Sequence, residues 1–235
     1  MSAKLSAISF ASALIFALPC HAGLMINEVV FNEVGSDVTG EWIEIFNTGP
    51  GAIDLTDYKI GDEETSGGTG ATEAIHRFPA GASIAPGELQ IVAVSATRFF
   101  TVYGILPTYE ATSTDATVPD MLPYVAWDPD GGAFNMSNTN DQVVLIDGTD
   151  TIIDAASWGS SSFAFNPPLG SALDGQSYER KNAYFDTDTA NDWAPVPGDT
   201  AAERSTPFRA NVPEPTTMVI LLGWTAFGIV RRRTR

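Results

Sequence analysis

Met25-Ile26-Asn27-Glu28-Val29 and, further on, Gly40-Glu41-Trp42-Ile43-Glu44-Ile45-Phe46-Asn47 decide the fold of this chain. Both are short apolar runs rich in β-branched and aromatic residues, bounded by Gly, Asp and Asn. That is the pattern of strands, not of helical stripes. Alternation of period two puts Trp42, Glu44 and Phe46 on one face of their strand. A carboxylate placed beside two aromatics is costly to bury without donors. Glu44 is therefore expected to accept hydrogen bonds that fix the strand, and Asn27 and Glu28 take the same structural reading.

The same signature repeats outward. Strands are expected at Leu24–Phe31, Glu41–Asn47, Tyr58–Ile60, Leu89–Ser95, Gln142–Asp147 and Thr151–Trp158, with fainter ones at Ile53–Leu55, Ile75–Phe78 and Gln176–Arg180. Ala85-Pro86-Gly87-Glu88 reads as a turn, and Asp147-Gly148-Thr149-Asp150 as a hairpin turn in which Gly148 supplies positive φ. Many short strands with frequent turn signals argue for an all-β domain, a β-sandwich. Arg98–Tyr103 reads as a short helix capping it. Two stretches are irregular: the Gly/Thr/Ser-rich 62–72, expected to be a mobile loop, and the long insertion at about 109–139.

These blocks carry a resemblance. The two opening blocks, Ile53-Asp54-Leu55-Thr56-Asp57-Tyr58-Lys59-Ile60 after them, and then Ser177-Tyr178-Glu179-Arg180 and Asn191-Asp192-Trp193, resemble the lamin-tail domain in their expected order. The resemblance spans roughly 24–211 and implies an immunoglobulin-like β-sandwich. Bacterial members are commonly secreted or surface-attached, alone or beside nuclease and phosphatase domains. The insertion at 109–139 departs from a compact version of the domain.

Both ends read as addresses. Lys4, the uncharged run Leu5–Leu18, Pro19 and Cys20-His21-Ala22 form a signal peptide, residues 1–22, cut between Ala22 and Gly23. At the other end Pro213-Glu214-Pro215 precedes an uncharged stretch, 216–230, and then Arg231, Arg232, Arg233 and Arg235. As a helix, 216–230 rises roughly 22 Å, short of the ~30 Å bilayer core. The terminal arginines favour a cytoplasmic C-terminus, which agrees with an exported N-terminus. The order of motif, apolar helix and basic tail over 212–235 resembles the PEP-CTERM sorting signal of Gram-negative bacteria that make exopolysaccharide. The resemblance implies an exosortase-type processing enzyme as partner, transient inner-membrane insertion facing the periplasm, and passage to the cell surface or beyond.

The whole chain of 235 residues carries 12 Lys+Arg against 29 Asp+Glu, a net charge of −17. Residues 23–213 lack Lys4, the four terminal arginines and Glu214. They keep seven basic and 28 acidic residues, a net of −21. Such a charge repels phosphates, so no nucleic-acid partner is expected. Hydrophobic residues at 44% suffice for a core in one domain, 23–211. Cleavage removes the only Cys and one of two His, leaving His76.

No nucleophile–base set, Gly-x-Ser-x-Gly elbow or phosphate loop accompanies His76, so no enzyme and no catalytic residue is expected. For calcium, which takes clustered loop oxygens, the candidates are Asp186, Asp188 and Asp192, then Asp128 and Asp130; Asn138-Thr139-Asn140-Asp141 is a similar stretch. Each also reads as a solvated turn residue. The sequence thus points to a secreted, sorted surface or biofilm-matrix protein, structural or adhesive and associated with exopolysaccharide. One alternative is a carbohydrate-binding module stacking sugars on Trp127, Trp158, Trp193, Phe163 and Phe165. Another is an accessory to a secreted nuclease or phosphatase.

Overall fold

The computed structural model describes residues 23–35, 39–68, 73–129 and 131–212. The expected signal peptide with Ala22, the expected sorting motif Pro213-Glu214-Pro215, residues 216–230 and the terminal arginines lie outside the described residues. Among the described residues no helix is long and apolar enough to cross a membrane.

The chain is a β-sandwich. One sheet takes β1 (Leu24–Val30) and β2 (Trp42–Asn47); the other takes β4 (Lys59–Gly61) and β5 (Ile75–Arg77), and β3 (Ile53–Asp54) pairs apart with β6 (Ser83–Ile84). The chain continues through β7 (Leu89–Ala93), α1 (Ala96–Tyr103), β8 (Tyr109–Glu110), β9 (Leu122–Pro123), β10 (Asp141–Ile146), β11 (Ile152–Trp158), β12 (Tyr178–Arg180) and β13 (Trp193–Pro195). The first sheet has the order β13-β12-β1-β2-β7-β8 and the second β11-β10-β4-β5-β9. All pairs are antiparallel except β7 with β8. All nine strands read from the sequence are present, and the helix is present with two more residues at its start.

Side-chain alternation builds the core. Ile43 and Ile45 from β2, Val92 from β7, and Val143 and Leu145 from β10 meet between the sheets. Phe31 stacks on Trp158 at 4.1 Å between ring centroids and lies 6.2 Å from Tyr178, tying three segments together. Trp42, on the opposite face of β2, packs against Phe99 and Tyr103 of α1. The first sheet is therefore covered on both faces, which is why β1 and β2 are buried along their whole length.

A break in β1 sets the geometry. Its register with β2 shifts between Ile26 and Glu28. The extra residue turns the alternation, so Ile26 and Val29 both face the core. β12 pairs with β1 only at Glu28 and Val29, which leaves the backbone of Ile26 without a strand partner on that side. Asp154 of β11 accepts its N–H at 2.7 Å, and the Arg180 Nε of β12 donates to its carbonyl at 2.7 Å. Arg180, 1% exposed, also bonds both Asp154 oxygens at 2.8 and 2.9 Å, pairs with Asp186 and lies 4.6 Å from the centre of the Trp193 ring.

One expectation changes, and the long insertion gains a place in the core. In the β10–β11 hairpin the positive φ sits at Asp150, not at Gly148. The Asp147 carboxylate accepts from the Thr149 and Thr151 amides and organises the turn instead. The insertion at 109–139 is no appendage: Tyr109, Met121, Phe134 and Met136 enter the main core, and Trp127 covers Ile75, Val144 and Ile146 on the outer face of the second sheet.

Removing one partner of a buried ion pair strands the other charge. Arg180→Met is expected to lower the unfolding free energy by about 3–5 kcal/mol. Lys181→Met, at an exposed neighbour, should stay within ~0.5 kcal/mol. Urea denaturation of the two variants checks this.

Candidate functional site

The outer face of the first sheet carries a row of glutamates. Glu179, Glu28 and Glu44 stand in register across β12, β1 and β2, since Glu28 is opposite Glu179 on one side and opposite Glu44 on the other. All three are buried, Glu28 and Glu44 completely. The donors expected for Glu44 are present. Asn27 Nδ2 donates to its Oε1 at 2.7 Å, and the Phe208 amide donates to its Oε2. Glu28 accepts from the Ser177 hydroxyl, from the Thr206 amide at 2.8 Å and from the Thr206 hydroxyl at 3.0 Å.

Three of these donors, the Phe208 amide and the amide and hydroxyl of Thr206, come from a segment that crosses the sheet, residues 204–212. The Arg204 carbonyl accepts from the Ser177 amide and the Asn211 carbonyl from the Ala183 amide, both at 2.9 Å. Ser205 donates to the Tyr103 hydroxyl at 3.1 Å. Phe208 packs against the cluster of Val30, Trp42, Ile91, Ala93 and Phe99. Its φ of 61° is left-handed, which costs an L-residue roughly 1–2 kcal/mol. The amide bond to Glu44 and the apolar contact hold it there.

Burial pushes Glu28 up to about 7; the Ser177 and Thr206 hydrogen bonds work against it and the Glu179 charge reinforces it. Burial and then the Glu28 charge push Glu44 up to about 9, against its bonds from Asn27 and Phe208. The row is a set of acceptors for backbone amides, and it carries protons into the neutral pH range.

A second acidic group lies by the insertion. Three consecutive amides there each donate to a different carboxylate: Asn135 to Asp62 at 2.8 Å, Met136 to Glu41 at 2.9 Å and Ser137 to Asp141 at 2.6 Å. Burial, above all, raises Glu41 to about 10 and Asp141 to about 6. Asp62, at the head of the stretch expected to be mobile, is fully buried in this arrangement. Beside it a cleft of about 350 Å³ is lined by Glu64, Glu73, Asn135, Asp141 and Gln142. Glu63, Glu64 and Glu73 bring carboxylate oxygens within 4.8 Å of one another, the grouping among the described residues able to hold a metal ion. Burial and the neighbouring carboxylates raise Glu73 to about 7.

The calcium candidates are placed elsewhere. Asp186 pairs with Arg180 and accepts from the Asp188 amide, so a guanidinium already supplies the cation. Burial works to raise the Asp186 carboxyl, but the Arg180 charge and hydrogen bonds win and hold it below the usual range. Asp192 accepts from the amide and hydroxyl of Thr187. Asp188 is exposed with φ of 53°. Asp128 accepts the Gly131 and Gly132 amides, and Asp130 lies outside the described residues. Gly23, the other side of the expected signal cut, hydrogen-bonds through its amide to the Thr48 hydroxyl at 3.0 Å. His76 is 1% exposed, with its ring edge-on to Phe134, and burial lowers it to about 4. Of the aromatics considered for sugar stacking, Trp127, Trp158, Trp193 and Phe165 are buried, while Phe163 is 44% exposed. Core packing has taken the platform.

A family model described as Lamin Tail Domain matches residues 20–160. The crystal structure of a DUF4876 family protein from Bacteroides thetaiotaomicron is similar in fold, with a TM-score of 0.55 at 13% identity over 74% of this chain and 70% of that one. No curated protein matches the chain.

A carboxyl whose folded pKa is raised binds its proton more tightly in the folded state. Its stabilisation is complete below the ordinary value of 4.5 and is lost as pH rises through the folded value. His76, lowered from 6.5 to about 4, acts in the opposite sense only below 6.5. The melting temperature is therefore expected to fall from pH 6.5 to 9, and Glu44→Gln is expected to flatten the upper part of that slope. Thermal melts across this range check both; a level wild-type profile contradicts them.

Proposed function

We propose, from the premise that this chain belongs to the lamin tail domain family, that it is an exported, non-enzymatic β-sandwich protein of the cell surface or extracellular matrix. In this reading the signal peptide carries it across the inner membrane. The 216–230 segment holds it there with the sandwich facing the periplasm, and an exosortase-type enzyme removes the segment near Pro213-Glu214-Pro215. The domain is then released or attached outside, in an exopolysaccharide-rich matrix, in a structural or adhesive role.

The observation that carries the reading is the junction at residue 212. The last residues of the sandwich, 204–211, are bonded to the sheet, and Val212 is 53% exposed. The Pro-Glu-Pro motif begins at the next residue. A folded body thus runs directly into the ordered series of motif, uncharged stretch and arginine tail. A net charge of −21 over residues 23–213 favours solubility and resists self-association outside the cell. The non-enzymatic part of the reading draws on the sealing of His76 into the core and on the use of the buried carboxylates as acceptors for the protein's own amides.

The test is the C-terminus of the protein recovered from cell fractions, read by intact mass and terminal peptide sequencing. Extracellular protein ending between 213 and 216 is the expected result. A chain that stays in the membrane and ends at Arg235 overturns the sorting step and leaves a plain anchored protein.

A further inference from the structure

We propose that the cleft at the β12–β13 rim of the first sheet binds a carboxylate-bearing saccharide, a uronate unit of an acidic polysaccharide; this rests on the matrix reading above. The cleft holds about 500 Å³, within the range of small-ligand clefts. Lys181 and Arg209 line it, both exposed. So do the consecutive residues Ala194, Pro195, Val196 and Pro197, which supply apolar surface for the C–H face of a sugar ring. Asn211 and Glu179 add oxygens to which ring hydroxyls can donate.

The two cations set this cleft apart. Residues 23–213 hold seven basic side chains, and most are committed inside the molecule. Lys59 pairs with Asp150, Arg98 with Glu33, and Arg180 with Asp154 and Asp186. Arg204 donates to the Gly198 and Asp174 carbonyls. The Arg209 guanidinium, by contrast, makes no hydrogen bond to another described residue, and Lys181 Nζ bonds the Asn191 carbonyl alone. Two carboxylates share the cleft, and both are answered. Glu203 accepts the Asp199 and Thr200 amides and feels the Arg204 charge. Glu179 is 5% exposed; burial raises its carboxyl, while the Thr206 and Asn211 side chains and the Arg209 charge work against that. A guanidinium fork and an ammonium therefore stand open to one carboxylate.

A saccharide fits better than an acidic peptide or a nucleic acid. β13 is the outermost strand, but its edge has no free amide for an added peptide strand. Trp193 gives its N–H to the Ala190 carbonyl, and Pro195 has none. Val196, and Ala194 two residues before it, turn theirs inward to the β12 side. Recognition there falls to side chains. Two cations match a single carboxylate, not a run of phosphates. The net charge of −21 over residues 23–213 repels a dense polyanion. At physiological salt that field is screened beyond about 8 Å, so an isolated uronate meets the local pair first.

The test is calorimetric titration of the full chain in neutral detergent, with chelator present to remove bridging calcium. The probes are a tetrasaccharide in which glucuronate alternates with a neutral sugar, the same tetrasaccharide with its carboxyls reduced to alcohols, and a peptide of alternating Gly and Glu. The uronate tetrasaccharide is expected to bind, and the other two to bind at least about tenfold more weakly. Arg209→Gln and Lys181→Gln are each expected to lower its affinity about tenfold, while Arg77→Gln, on β5 of the other sheet, leaves it unchanged. Absence of binding to wild type, or affinity unmoved by both cleft variants, overturns the site. Equal binding of the reduced tetrasaccharide overturns the role of the carboxylate, and equal binding of the peptide overturns the saccharide. An extracellular chain that ends between 213 and 216 but fails to bind keeps the sorting reading and overturns the site. Binding by a chain that ends at Arg235 upholds the site while the sorting reading fails.

Discussion

The backbone of Ile26 is the point on which this fold closes. The shift in β1 between Ile26 and Glu28 keeps the apolar residues on both sides of it in the core, but it leaves an N–H and a carbonyl facing a gap in strand pairing. A buried amide without a partner is costly. Asp154 and Arg180 meet that need from two different sheets and neutralise each other in doing so. Arg180 then brings Asp186 and Trp193 against itself, and with them the closing part of the chain. One irregularity in the first strand thus requires residues more than a hundred positions away.

The same logic extends over the rest of the molecule. Glu28 and Glu44 receive the amides of 204–212, while Glu41, Asp62 and Asp141 receive three successive amides of the insertion. In each case a segment without regular structure gains partners for its backbone, and a carboxylate gains donors that offset its burial. A strongly acidic chain thereby uses part of its charge inside. The consequence is a proton inventory: burial raises Glu28 to about 7, Glu44 to about 9 and Glu41 to about 10, and their neutral amide and hydroxyl donors offset only part of that rise.

Local pattern made much of this legible. Period-two alternation placed Trp42, Glu44 and Phe46 on one face, and the burial cost of a carboxylate there correctly implied donors. The identity of the donors was not legible, because Phe208 is distant in sequence and its left-handed backbone has no sequence signal in a residue that is not glycine. Short strands such as β8 and β9 escaped notice for the opposite reason: two residues carry no periodicity. The aspartates of 186–192 looked like ligands because Asp and Asn mark both turns and cation sites. Only the fold shows that Arg180 stands among them. Likewise the grouping of Glu63, Glu64 and Glu73 depends on where a loop returns, which spacing does not encode.

The family match ends at residue 160, yet the donor to the Ile26 carbonyl, Arg180, and the donors to Glu28, Ser177 and Thr206, lie beyond it. The central claim is that the matched region cannot close without them. A chain spanning residues 23–172 tests it most directly, by near-ultraviolet circular dichroism and urea titration beside the 23–212 domain. The account predicts that the shorter chain shows no cooperative transition while the longer one unfolds in a single sharp step. A cooperative transition of comparable midpoint in the shorter chain would contradict it.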